Sequence, residues 1–202
     1  QRKVGQNKNK IIATHDNTNY MVFENENLVK KKKKNLDIRF FLSILNSTLI
    51  SYFYNLYFGE SNTNLTKLAF ESIPIVDIEK TIKEPFIQKA DLMIELNKKL
   101  QETKQNFYDE LKLEKLTTKL QKFEELEFDD FIKEYTKSKK IKFADKLEER
   151  NFKNDWKALF ENDKKEVLEI QNQINQIDKE INQMVYKLYD LTQDEIKIVE
   201  GN

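Results

Sequence analysis

Lysine is the residue type in this sequence whose number and spacing most clearly suggest contact with a charged partner. Residues 30–34 are five consecutive lysines, and residues 1–50 hold ten Lys and Arg against four Asp and Glu. A lysine side chain neutralises a phosphate group without reading the base beside it. The run is typical either of a solvated loop or of a phosphate contact, and its charge is compatible with both.

The other residues that could carry chemistry argue against an active site in this sequence. His15 is the single histidine and cysteine is absent, which excludes a thiolate metal site and a cysteine nucleophile. Gly5, Gly59 and Gly201 stand too far apart to form a glycine-rich phosphate loop. Acidic residues are so frequent that no carboxylate pair stands out. The pattern favours a chain that binds or positions a partner and does not catalyse.

The elements that must position these residues begin with a short β-forming part. Residues 10–15 and 20–29 predict two strands, because a cluster of turn-forming residues separates them. Residues 40–58, FFLSILNSTLISYFYNLYF, predict one amphipathic helix. Its polar residues recur at every fourth position and predict an exposed ridge, which a membrane span would not carry. These residues are Ser43, Ser47, Ser51 and Asn55.

Two later stretches carry hydrophobic residues at alternating steps of three and four, the pattern of a coiled coil. The first consists of Met93, Leu96, Leu100, Thr103 and Phe107, and the second of Val167, Ile170, Ile174, Ile177, Ile181, Met184, Leu188 and Leu191. Two such helices in one chain most simply pair as an antiparallel hairpin. Shorter amphipathic pieces within residues 112–164 predict a helical cap on that hairpin.

The sequence therefore predicts an α+β fold that is mostly α. Residues 1–80 would form a small β/α fragment, and residues 81–202 a long, coiled-coil-like antiparallel hairpin with its cap. Only three glycines and two prolines occur, which favours helices joined by short connections. No secretory signal heads the sequence, so we expect a cytoplasmic location. The start at Gln1 predicts that the chain is a piece of a longer protein.

Two segments resemble enzymes that modify DNA. The strings LSILNSTLISYFY and LTKLAFESIPI, with the polar loop between them, are similar to the TaqI-like C-terminal specificity, or target-recognition, domain of adenine-specific DNA methyltransferases. The ending IDKEINQMVYKLYDLTQDEIKIVEG resembles the C-terminal helix of single-chain type IIG restriction-modification enzymes. The two resemblances cover about residues 10–80 and 165–201.

The resemblance implies that the chain holds double-stranded DNA while a target adenine is flipped into a catalytic domain. It implies structural roles for Leu45, Asn46 and Ser47, and it places the exit to the long helices at Pro74. Polarity and location then suggest DNA contacts in the predicted hairpin, the lysine run and the loop after Gly59. The candidates are Lys10, Thr14, His15, Asn17, Lys31, Lys32, Lys33, Ser61, Asn62 and Asn64.

The resemblance is also incomplete. The Asn/Asp-Pro-Pro-Tyr/Phe motif and the cofactor glycines of the family are absent from this sequence. We therefore expect no cofactor or metal here, and we expect S-adenosylmethionine in a methyltransferase domain, with or without a nuclease, of the same parent chain. Arginine could read bases only from Arg2, Arg39 or Arg150. Two alternatives remain: a separate specificity subunit of a multi-subunit restriction system, and a coiled-coil interaction module without DNA binding.

Overall fold

The structure is a computed structural model that describes residues 37–58 and 71–201. The described part is built from helices, which confirms the mostly-α prediction. The predicted strands at 10–15 and 20–29 lie outside the described residues. Residues 37–58 and 71–201 contain no strand. In chain order the helices are α1 Ile38–Leu45, α2 Thr48–Phe58, α3 Lys80–Leu111, a 3₁₀ helix Leu120–Glu125, α4 Phe128–Lys139, α5 Lys146–Leu188 and α6 Gln193–Glu200.

The segment 40–58 was predicted as one helix, and this prediction is wrong because the chain breaks between α1 and α2. Asn46 ends α1 with its N–H directed to the carbonyl groups of Ile44 and Leu42. Ser47 follows, and the second helix begins at the next residue, Thr48. The periodicity of apolar residues continues through the break, so the pattern alone predicted a single element.

The predicted exposed ridge is also wrong. Ser43, Ser47 and Ser51 are at most 3% exposed, whereas Leu56 and Tyr57 on α2 are 62% and 66% exposed. A serine hydroxyl can bond to a nearby backbone carbonyl, so its burial need not leave an unsatisfied polar group. Small side chains also let helices approach closely. The serine stripe is therefore the packed face of this segment.

No helix in the described part of the chain combines the length and the apolar composition needed to cross a membrane. This result agrees with the reading of 40–58 as a non-spanning segment. The cytoplasmic location stays a prediction.

The described residues group into two compact units. Unit 1 holds those up to Ile94 and those from Gln176 onward, and unit 2 is Glu95–Asn175. The helices α3 and α5 each contribute residues to both units. The predicted domain division between residues 80 and 81 cuts the chain once along the sequence, whereas the two units are defined by spatial contacts. That division stays a prediction.

Aromatic side chains form the core of unit 2. Phe107 of α3 stacks on Phe123 of the 3₁₀ helix with ring centroids 3.9 Å apart, and Phe131 of α4 stacks on Phe160 of α5 at 4.6 Å. All four rings are at most 1% exposed. Burial of one such side chain stabilises a fold by about 1.5–3 kcal/mol before entropy is counted. This core includes part of the segment predicted as a helical cap.

The long helices run antiparallel within unit 2. Lys99 of α3 pairs with Glu166 of α5 at 3.5 Å, and further along α3 the ring of Phe107 lies 6.3 Å from that of Phe160. The residue numbers of the contacts in α5 thus decrease as those in α3 increase, as in an antiparallel pair.

The predicted heptad seam is only partly the buried face of α5. Val167, Ile170, Ile177 and Ile181 are buried. Further along α5, however, Val185 and Tyr186 are 0% and 1% exposed, whereas the seam residues Met184 and Leu188 are only half-buried. Coiled-coil packing is therefore not confirmed.

Three of the described helices are followed by a non-glycine residue in the left-handed backbone region. The φ angle is 49° at Lys112 after α3, 58° at Lys140 after α4 and 56° at Asp190 after α5. By contrast α6 ends at Gly201, with φ 75°. An L side chain in this region costs roughly 1–2 kcal/mol, which glycine avoids. These residues therefore hold positions at which glycine is the more favourable choice.

A buried carboxylate joins three elements of unit 2. Glu124 of the 3₁₀ helix is 6% exposed. Its Oε1 accepts hydrogen bonds from Nζ of Lys104 on α3 at 2.7 Å and from Nε2 of Gln171 on α5 at 3.0 Å. Burial raises the pKa of the nearby Tyr108 to about 12, and the charge of Glu124 adds to this effect.

Replacing Glu124 with alanine should destabilise unit 2 by about 3 kcal/mol. The ammonium group of Lys104, whose side chain is 18% exposed, would lose its partner, and breaking a buried ion pair from one side costs several kcal/mol. Urea unfolding followed by the fluorescence of Trp156 measures the change, because this single tryptophan packs on the unit 2 core. The neighbouring Glu125→Ala is the control, since its pair with Lys122 is exposed. Equal unfolding midpoints for the two variants would contradict the prediction.

Candidate nucleic-acid interface and its support

The residues predicted to touch DNA lie outside the described part of the chain. They are Lys10, Thr14, His15, Asn17, Lys31, Lys32, Lys33, Ser61, Asn62 and Asn64. Their role stays a prediction. What the structure describes is the pair of helices that lies between these segments in the chain, and the contacts that hold that pair in unit 1.

The turn between α1 and α2, formed by Asn46 and Ser47 and here called the elbow, is closed by the serine side chain. The Ser47 hydroxyl donates to the carbonyl of Ile44 at 2.7 Å and accepts from the N–H of Ile50 at 3.3 Å. The Ser47 carbonyl accepts the first helical bond of α2, from the N–H of Ser51 at 3.1 Å. Ser47 is therefore the N-cap of α2, a position that favours serine.

A residue from the other end of the chain completes this cap. The N–H of Thr48, the first residue of α2, has no acceptor within its own helix. It donates to Oδ1 of Asn182 on α5 at 2.8 Å. Asn182 is only 7% exposed, although amide side chains usually face solvent. The start of α2 is thus fixed to α5 by a partly buried hydrogen bond.

The helix α1 packs against the first turns of α3. The Ser43 hydroxyl lies 3.2 Å from the carbonyl oxygens of both Arg39 and Phe86, so it has two acceptors to choose between. The Phe40 ring meets the Phe86 ring edge-on with centroids 5.4 Å apart. The ammonium group of Lys83 lies 5.6 Å from the centroid of Phe40. These contacts seat α1 closely on α3.

Arg39 has a structural role in this part of the chain. Its Nε and Nη2 donate to the two carboxylate oxygens of Asp37 at 3.1 and 2.8 Å, and its Nη1 donates to Asp91 on α3 at 2.8 Å. The hydrogen bonds from Arg39 hold the pKa of Asp37 below its usual value, and Asp37 in turn raises the pKa of Arg39. With two carboxylates engaged, Arg39 joins α1 to α3, and the base reading that the sequence allowed for it stays a prediction.

Two further contacts tie the ends of the described segments together. The hydroxyl of Tyr189, just after α5, donates to the carbonyl of Pro74, the residue taken as the exit to the long helices. Burial raises the pKa of Tyr189, so the hydroxyl keeps its proton for this bond. Lys89 of α3 pairs with Glu180 of α5, and this hydrogen bond lowers the pKa of Glu180. Unit 1 is therefore held by contacts from both long helices.

Sequence reasoning missed Asn182, Tyr189 and the capping role of Asp37. As the N-cap of α1, Asp37 accepts a hydrogen bond from the backbone N–H of Arg39 at 2.9 Å. Asp37 carried a readable signal, because an aspartate directly before an apolar stretch is typical of a helix start. Asn182 interrupts an apolar face next to Ile181, yet nothing local indicates which backbone group it meets. Among residues 37–58 and 71–201, no group of histidine, aspartate and glutamate is arranged to hold a metal ion.

The substitution Asn182→Ala should destabilise unit 1 by about 1–3 kcal/mol, because the N–H of Thr48 would stay buried without an acceptor. Hydrogen exchange should show faster exchange of amides in the first turn of α2. Gln183→Ala, one residue along and exposed, is the matched control. Unchanged protection of α2 in the Asn182 variant would remove the proposed cap.

The ion pair of Asp37 should make stability depend on pH. Because the pKa of Asp37 is lowered in the folded chain, its contribution is present above about pH 4 and is lost as the pH falls through the lowered value. Asp37→Asn keeps an oxygen for the helix cap but removes the charge. Thermal unfolding should therefore separate this variant from the parent at neutral pH and bring them closer near pH 2. A constant separation across that range would show that the charge is not the cause.

Comparison with known families divides the chain into two matches. Residues 3–75 match the family model of the TaqI-like C-terminal specificity domain, which confirms the resemblance stated from the sequence. Residues 79–185 match the model of a domain of unknown function, DUF8810. The comparisons with curated proteins and with solved structures gave no match.

Unit 1 contains described residues of both matches. From the specificity match come residues 37–58 and 71–75, and from the second match come residues 79–94 and 176–185. Three bonds join residues of the first match to the rest of unit 1: Thr48 to Asn182 and Arg39 to Asp91, both in the second match, and Pro74 to Tyr189, which lies beyond it. The second match covers more than half of the 202 residues, so the chain belongs to the family of the domain of unknown function DUF8810.

Proposed function

We propose that this chain is the DNA sequence-recognition and C-terminal helical portion of a restriction-modification adenine-specific DNA methyltransferase. The observation that carries the proposal is the match of residues 3–75 to the TaqI-like C-terminal specificity domain. The lysine run lies within that match, as do the other predicted DNA contacts. Phosphate contacts from such lysines position a duplex, and nearby polar side chains then read the bases.

The long helices have a supporting role in this proposal. A recognition surface binds tightly only when little conformational freedom is lost on binding. The cap from Asn182, the pairing of Arg39 with Asp91 and the bond from Tyr189 to Pro74 fix three separate points of the specificity region to other parts of unit 1. These three contacts hold the described part of the specificity match, residues 37–58 and 71–75, within unit 1.

The chemistry of methyl transfer lies elsewhere in this proposal. A methyltransferase domain of the same parent chain binds S-adenosylmethionine, and the specificity domain holds the duplex while the target adenine leaves the stack. Cleavage of DNA by the same parent, as in a type IIG enzyme, is a further step of the proposal. A methyltransferase motif in the reading frame of this chain would favour the single-chain arrangement over a separate specificity subunit.

Selection from a pool of duplexes with a randomised centre tests the proposal, because every short sequence is present in such a pool. The 202-residue chain is incubated with the pool, and bound duplexes are recovered and sequenced. We expect one short sequence to be enriched. A bound pool with the composition of the input would contradict DNA sequence recognition and would favour an interaction module.

Removal of the lysine run tests the predicted phosphate contact separately. In Lys31→Ala/Lys32→Ala/Lys33→Ala, binding should weaken for all duplexes alike, and the slope of log K against log salt should flatten by about 0.9 for each lost contact. Fluorescence anisotropy over a series of salt concentrations measures this slope. Lys157, Lys179 and Lys187 are exposed lysines of α5, and their triple alanine variant is the charge-matched control. A slope equal to that of the parent would remove the run from the interface.

A further inference from the structure

A second concentration of lysine lies in unit 2, far along the chain from the first. Residues 133–142, KEYTKSKKIK, hold five lysines against one glutamate. All five lysines are exposed. They cover the last two turns of α4 and the segment that follows it.

Most of these lysines lack the ion-pair partners that some other lysines in unit 2 have. Lys104 and Lys153, for example, each pair with a glutamate at 3.0 Å or less. By contrast, within the described part of the chain no ion pair involves Lys133, Lys137, Lys140 or Lys142. Asp130 and Glu134 precede Lys133 and Lys137 by three residues, a spacing that allows pairing, and the pairs are not formed. The ammonium groups of these four lysines are therefore not engaged in ion pairs within the described part of the chain.

The usual structural reason for lysine at a helix C-terminus covers part of the segment, since Lys137 and Lys139 stand in the last turn of α4. Lysines there offset the negative end of the helix dipole and bond to the last carbonyls. Lys139 does this for α3, since its Nζ donates to the carbonyls of Leu111 and Lys112 at 2.9 and 3.0 Å. The bond also brings Lys112, itself exposed, beside the segment. Lys133, near the middle of α4, lies opposite the buried residues Phe131 and Tyr135 and has no such role.

Two lysines of this group stand at a cost to the fold. Lys112 and Lys140 both have a left-handed backbone, where glycine would be less strained. Both side chains are exposed, so their charge is accessible to a partner. The lysine patch is defined here as Lys112, Lys133, Lys137, Lys140 and Lys142.

We propose that the lysine patch binds the phosphate backbone of duplex DNA, as a sequence-independent contact separate from the recognition surface. The inference rests on the proposed function, because that function supplies a duplex as the partner. Lysine suits such a contact: each engaged side chain releases a condensed counterion and carries no information about the base. The patch thus adds affinity and salt dependence, and it leaves the recognised sequence unchanged.

The left-handed positions allow a variant whose folding and binding should change in opposite directions. Lys112→Gly/Lys140→Gly relieves backbone strain, so its melting temperature should rise above that of the parent chain. Its binding to a random-sequence duplex should nevertheless weaken, with the salt slope flatter by about 2 units. Asp190→Gly is the control, since it relieves the same kind of strain after α5 without removing a lysine. A stabilised double variant with the salt slope of the parent would overturn the proposal.

A second variant probes the remaining lysines. Lys133→Ala/Lys137→Ala/Lys142→Ala should flatten the salt slope by up to about 3 units, while the sequence enriched by selection stays the same. The Lys157, Lys179 and Lys187 alanine variant controls for net charge. A slope that matches this control would overturn the patch and leave the specificity proposal standing, and it would direct attention to an acidic protein partner. A different result would separate the two proposals: the triple variant flattens the salt slope, but the parent chain enriches no sequence from the pool. That result would support the patch and contradict the proposed function.

Discussion

The described part of unit 1 depends on one constraint, which is that each backbone N–H at the start of α2 must find an acceptor. A helix start exposes donors that its own turns cannot satisfy. Here Ser47 is buried and Thr48 is half-buried, and protein groups supply the acceptors. The Ser47 hydroxyl accepts from the N–H of Ile50, and the side chain of Asn182 on α5 accepts from the N–H of Thr48. The second bond couples a local event, the break between two helices, to a residue far away in the chain.

This coupling explains why serine occupies the face that looks polar in the sequence. Ser43 and Ser47 direct their hydroxyls to backbone carbonyls of their own or a neighbouring helix. A larger apolar residue at either position would hold the helices apart and leave those carbonyls without this donor. The apolar residues Leu56 and Tyr57 of α2 are exposed instead. Hydroxyl burial and close approach are therefore two aspects of the same packing.

The sequence was sufficient for features that depend on composition and local pattern. Scarce glycine and proline predicted a helical chain, and the order of the Leu-Asn-Ser and Ile-Pro-Ile strings identified the specificity domain. It was insufficient wherever the acceptor lies in another element. The break at Asn46, the buried serines and the role of Arg39 all depend on partners that only the folded chain brings near. The predicted DNA contacts belong to segments outside the described residues.

The departure of α5 from a heptad pattern has the same origin. In unit 2 the helix buries Val167 and Ile170, at the step of three expected for a seam. In unit 1 it buries Asn182, Val185 and Tyr186 as well as Ile181, a wider face than a two-helix seam needs. The wider face is required because α5 there also meets the elbow, through Asn182 and Thr48. A regular coiled coil would offer one apolar stripe to one partner and could not place an amide side chain at the start of α2. The irregular end of the seam is thus the part of α5 that bonds to the start of α2.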